Sequence, residues 1–164
     1  MNKQLALSAL GEARKNYHGN TPAAIGNLQP IASLFEGEAE ENVDVLDADW
    51  GGGFVYLCAV KAGINLPPRY PDPRVGESFA RAGAWERYAK LPKIRAWIPA
   101  DEEPEIGDLA VIEPTEGDIP AIGVILAIGE EAMDTAEGNY HNHSALVERK
   151  RDSSIRGYIR LKAK

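Results

Sequence analysis

The stretch Asp49-Trp50-Gly51-Gly52-Gly53-Phe54-Val55-Tyr56-Leu57-Cys58-Ala59-Val60-Lys61-Ala62-Gly63 opens on an acidic residue, closes on a glycine and is largely apolar between them. Asp49 stands where an N-cap would accept backbone N–H groups, and Gly63 where a left-handed residue ends a helix. Phe54, Cys58 and Ala62 recur every four residues, which predicts a helix over 50–62 with that stripe turned inward. Three consecutive glycines each disfavour a helix interior by up to about 1 kcal/mol relative to alanine, so something must favour them. Two readings stand: backbone N–H groups left open to an anion, against the nearby charges of Asp47 and Asp49, or close packing of the helix on a sheet.

On the N-terminal side, Leu5, Leu10 and Ala13, with Leu7, predict an amphipathic helix over 2–16, followed by a loop at His18–Thr21. Ile31, Leu34 and Phe35 can share one face of a short second helix. Glu36 to Asp49 carries seven carboxylates and reads as a solvated face or loop. On the C-terminal side, four prolines fall within residues 67–73, so Leu66–Pro73 must be an extended or turning connector. Phe79, Ala82, Trp85 and Ala89 predict a helix over 77–91, limited by Gly83 and Pro92. After Ile98 the pattern becomes β-rich, with runs at 109–113, 121–128, 132–137, 145–150 and 155–161 separated by Gly, Pro, Asn and Asp. Helices first and strands later predict an α+β single domain over 1–164, with the N-terminal helices packed on a C-terminal antiparallel sheet.

With 164 residues, 44% hydrophobic and 26% charged, the chain has the means to build one core without staples. A formal net charge of -7 argues against nucleic acid and anionic membrane surfaces as partners. Cys58 is the only cysteine, so no intrachain disulfide or multi-cysteine zinc site can form. Charges interrupt the apolar residues of the N-terminal segment, and no apolar run approaches the roughly 20 residues a membrane span needs. A reducing, cytoplasmic location is the expectation, and no cofactor is implied.

The stretch Trp50-Gly51-Gly52-Gly53-Phe54-Val55, with Cys58 and Ala62-Gly63-Ile64, resembles the nucleophile helix of the CHAP family, the cysteine- and histidine-dependent amidohydrolases/peptidases. That helix opens Trp-Cys-Ala-Ala-Phe-Val in the family and often has a second, non-catalytic cysteine where Cys58 stands. Glu105-Ile106-Gly107-Asp108-Leu109 looks like the family's Gly-Asp strand entry, and Ile122-Gly123-Val124-Ile125 like its His-Val-Gly-Ile-Val strand. Ala136-Glu137-Gly138-Asn139 is similar to its Glu-Gly-Asn, and Ile155-Arg156-Gly157-Tyr158-Ile159-Arg160 to its closing strand. Order and spacing agree over residues 2 to 161. The resemblance implies a papain-like (CHAP-type) fold and a peptide groove, with Trp50, Gly51, Gly52, Ala121, Glu137 and Asn139 as groove candidates.

In the family, a thiolate at the helix N-terminus is stabilised by free N–H groups and the helix dipole, a histidine moves the proton, and a polar group orients the imidazole. Here the nucleophile position is Gly51 and the base position Ala121; Glu137 alone fills its role, with Asn139 beside it. Neither glycine nor alanine can attack a carbonyl or carry a proton. Cys58 lies about 10 Å along the helix from Gly51, too far to substitute, and reads as a packed core thiol. Selection for activity, once lapsed, is a further reason for glycine at 51. Trp85 and Trp97 read as core or cleft-wall aromatics rather than a ligand box.

Three functions are therefore in view. The first is a catalytically inactive CHAP-like domain that binds a peptide or peptidoglycan fragment in the vestigial groove. The second is a hydrolase with an unorthodox metal site at His141, His143 and Glu137, against which stands the reading of 141–143 as a polar turn. The third is a cytoplasmic interaction module working through its acidic face.

Overall fold

The structure is a computed structural model and describes residues 1–37, 46, 49–115, 117 and 119–162. Helix α1 spans Lys3–Ala13, α2 Gln29–Ala32 with a 3₁₀ turn at Ser33–Phe35, α3 Gly51–Lys61 and α4 Ala82–Ala89. The strands are β1 Trp97–Pro99, β2 Leu109–Ile112, β3 Ala121–Ile128, β4 Ala132–Tyr140, β5 His143–Lys150 and β6 Ile155–Ile159. Among the described residues these form one antiparallel six-stranded sheet in the order β1-β6-β2-β3-β4-β5. The α+β architecture follows, with helices before the sheet in the chain and packed on one of its faces.

Helix α3 sits at the centre, against β3 and β4, with α1, α2 and α4 around it. It is buried on all sides from Gly51 to Ala59, rather than along one stripe as its spacing predicts. Its end follows the glycine signal: Gly63 has φ 82°, its N–H reaches the Val60 carbonyl at 3.0 Å, and the Ile64 N–H reaches that of Ala59 at 2.9 Å. This paired closure satisfies carbonyls that the helix itself leaves open. Its start differs from expectation, since Trp50 occupies the N-cap position without a capping side chain and Asp49 lies one residue further out.

Helix α1 is shorter than 2–16 and turns Leu5, Ala6, Ala9 and Ala13 inward, while Leu7 stays 65% exposed. The Ser144 hydroxyl donates to the Ala13 carbonyl at 3.0 Å, taking an acceptor that continued helix would use. Helix α4 begins at Ala82, not 77, because the preceding backbone is held against α3. The Gly53 N–H donates to the Ala80 carbonyl at 3.1 Å, and the Trp85 indole donates to the Phe79 and Gly52 carbonyls at 2.9 and 3.2 Å. Trp85 is thus a fully buried clasp between two helices. Trp97 lies in β1, which the sequence pattern does not foreshadow, under the Lys90 ammonium 4.3 Å from its ring centre.

The sheet is buried on both faces. Leu109, Val111, Ile122, Val124, Ala136 and Ile159 meet the helices, while Ala110, Ile112, Ile125, Met133, Ile155 and Tyr158 form a smaller cluster on the other side. The Gly-Asp strand entry has a structural role: Arg160 bonds both oxygens of buried Asp108 at 3.0 and 2.8 Å, tying β2 to the end of β6. Most of the acidic segment 36–49, including Asp47, lies outside the described residues.

Candidate functional site

Gly51 is the first residue of α3, Ala121 the first of β3, and Glu137 belongs to β4, the partner of β3. The three line one cleft of about 330 Å³ at the end of the sheet, together with Asp49, Asn139, Tyr140, His141 and Arg149. They do not approach it from the same side. A side chain at 51 would meet Ile122 on the helix-facing surface, whereas Ala121 packs with the cluster on the opposite surface, so the cleft wraps around the start of β3.

The three glycines are not equivalent. A Cβ on Gly52 would stand 2.6 Å from the Phe79 carbonyl oxygen, and one on Gly53 2.9 Å from Ile31 Cγ2. On Gly51 it would find ordinary contacts: the Gly138 carbonyl at 3.5 Å, Ile122 at 3.8 Å and Asn139 at 4.0 Å. Close packing therefore accounts for Gly52 and Gly53, although against the segment before α4 and against α2 rather than against the sheet. It does not account for Gly51, the position at which the resemblance expects a nucleophile. The glycine that brings α3 close to the sheet is Gly138, where a Cβ would fall 2.3 Å from Phe54 Cβ.

The anion-site reading of the helix start is corrected by Asp49. Its buried carboxylate accepts the Ala82 N–H at 3.4 Å and interacts with that of Gly51, so the protein supplies its own anion there. Burial raises the Asp49 pKa to about 6, against the opposing pull of Arg81 and of the two N–H groups.

Glu137 is 1% exposed and fully engaged. Arg149 on β5 forms a two-pronged pair with it at 2.8 and 2.6 Å, and the Thr135 hydroxyl donates to it at 2.6 Å. The same contact raises the Arg149 pKa. Arg149 escapes a reading of the sequence because its contact depends on strand register, in which Arg149 opposes Met133 and Ala145 opposes Glu137. Next to Glu137 the β4–β5 register shifts between Glu137 and Tyr140, and Asn139 has φ 58°. Such an extra residue turns a side chain away from the regular alternation.

The proposed metal set does not assemble. His141 and Asn142, at φ 49° and 66°, are the central residues of a tight hairpin turn, as the polar-turn reading expects. The His141 ring packs edge-on against Tyr140 at 4.5 Å, His143 faces His18 instead, and Glu137 is held by Arg149. Among the described residues no group of three His, Cys, Asp or Glu side chains converges as metal ligands would. Cys58 is a free, fully buried thiol whose pKa burial pushes well up.

A second cavity of about 660 Å³ meets the first at Asn139, with Trp50 in its wall. Among the described residues its lining is uncharged and rich in amides, with Asn20, Gln29, Asn139 and Asn142 beside Ile25, which is 89% exposed. Trp50 fixes the boundary, its buried indole donating to the Asn142 side-chain oxygen at 3.1 Å. No protein-family model, curated protein or solved structure matches the chain. No helix among the described residues is long and apolar enough to cross a membrane.

Proposed function

We propose that the chain is a non-catalytic, CHAP-like domain of papain-like architecture that binds a short peptide, of the kind found in peptidoglycan stems, beside the start of α3. The observation that carries this reading is the state of position 51. It opens a buried helix onto a cleft, has room for a side chain and carries none. Ala121 and Glu137, the positions the resemblance assigns to base and orienter, line the same cleft, although Ala121 lies on the sheet surface away from Gly51. Acyl transfer needs a nucleophile and a proton carrier, and neither residue type at 51 or 121 supplies one.

The surroundings also suit binding better than turnover. Glu137 is committed to Arg149, so it is not free to hold an imidazole. The Asp49 carboxylate beside position 51 would oppose formation of a thiolate there. The adjoining cavity has a polar, amide-bearing lining, which suits the peptide backbone of an extended ligand better than an apolar one would. A lone buried cysteine fits a reducing, cytoplasmic setting.

Calorimetric titration with synthetic stem peptides tests the reading. The native protein is expected to bind, and Gly51→Phe, which fills the cleft from a position with room for its Cβ, to weaken binding at least tenfold. Equal affinity in both proteins, or no binding by the native one at millimolar peptide, would place the ligand elsewhere or remove it.

A further inference from the structure

The three histidines of the chain serve different ends, and two of them meet. Tyr17–Gly19 runs antiparallel beside Asn142–Ser144, along the open edge of β5. The Ser144 N–H donates to the Tyr17 carbonyl at 2.8 Å and the Gly19 N–H to the Asn142 carbonyl at 3.1 Å. These bonds flank His18 and His143, which are direct cross-strand partners. That is the non-hydrogen-bonded type of pair, in which facing side chains come closest. The two rings accordingly stand 6.0 Å apart, centre to centre, at 35° to each other.

His18 is also oriented. Its Nδ1 lies 3.3 Å from the Asn16 carbonyl oxygen, a contact that requires the proton on Nδ1 and so leaves the lone pair on Nε2. A backbone carbonyl on the far nitrogen is the usual support of a metal-bound imidazole. His18 is half-buried and His143 exposed, so ions and water reach the pair. Two imidazoles on a tetrahedral metal at about 2.1 Å place their ring centres roughly 5 to 5.5 Å apart, a small side-chain rotation from the distance seen.

We infer that His18 and His143 form a two-histidine site for a divalent transition cation of the zinc, nickel or copper class, with water completing the coordination. Imidazole nitrogen suits these ions, and the absence of thiolate and carboxylate from the pair sets it apart from calcium or magnesium sites. The bound ion staples the segment at 17–19 to the β4–β5 hairpin. Gly19 and Asn142, next to the two ligands, line the larger cavity, so the staple fixes one of its walls. The site is independent of any peptide in the cleft and of the vacancy at position 51.

Zinc titration of the purified full chain, followed by calorimetry and by the imidazole signals in NMR, tests this. One zinc per chain is expected, with the His18 and His143 ring signals shifting and that of His141 unmoved. His18→Ala and His143→Ala should each weaken binding at least tenfold, and His141→Ala should leave it unchanged. The ring signals of the unmodified protein give the answer even where a variant fails to fold. Shifts at His141 in place of His18, binding that survives the His18→Ala/His143→Ala double change, or no binding at millimolar zinc would overturn the assignment.

Discussion

Gly51 and Gly52 are neighbours on the first turn of α3, yet a methyl group would meet different surroundings on each. At 52 the nearest obstacles are the backbone atoms of Phe79 and Arg81, which cannot move without shifting the start of α4. At 51 nothing lies closer than 3.5 Å. Gly52→Ala should therefore cost about 1 to 3 kcal/mol through overpacking. Gly51→Ala should be neutral or stabilise by up to about 1 kcal/mol, because alanine restricts the unfolded chain and favours the helix. Denaturant unfolding of the two variants measures the difference; equal losses would mean that Gly51 is also held by packing. The contrast separates a glycine that packing requires from one that it does not.

At the scale of elements, α3 and α4 start side by side, and Asp49 reaches toward both first turns. Its carboxyl has a pKa near 6 in the folded protein against an ordinary 3.8, with burial as the main cause. A raised acid binds a proton in the folded state that the unfolded chain has released, so stability from this group falls as pH rises from 3.8 to about 6. The cost at neutral pH is about 3 kcal/mol. Asp49→Asn should raise the melting temperature at pH 8, and the advantage should vanish near pH 4. An advantage of the same size at both pH values would trace the effect to packing instead.

The same scale shows what a linear reading can reach. The helix over 51–61 and the strands after Ile98 were legible because period, Gly63 and the turn residues all act within a few positions of each other. The start of α4 was not, since the apolar spacing of 77–81 suits a helix and it is bonds to α3 and to the Pro68 carbonyl that hold the segment off. Strand β1 exists through its pairing of Trp97 with Ile159 and Ile98 with Tyr158, which no local signal encodes. In the site, the lack of a nucleophilic or proton-carrying side chain at 51 and 121 is plain from the residue types alone. The Glu137–Arg149 pair and the meeting of His18 with His143 are not, because both depend on which strands lie together.

For the molecule as a whole, the sheet acts as a frame held from its two ends. Asp108 and Arg160 close the β2–β6 side, and Glu137 with Arg149 spans β4 and β5. The latter pair ties two strands together at the position where the resemblance expects a carboxylate free to orient a base. Breaking such a buried pair by removing one partner typically costs 3–5 kcal/mol, which ties any regained activity to lost stability. The central claim is that the cleft at Gly51 does not catalyse. The direct measurement is release of free amines from purified peptidoglycan and stem peptides by the native chain, Gly51→Cys, Ala121→His and the double variant. Nucleophile and base must act as one unit, and side chains at 51 and 121 lie on opposite surfaces of the sheet, so no release is expected from the native protein, from either single change or from the double variant. Hydrolysis by the native chain that survives both chelator and repurification would contradict it.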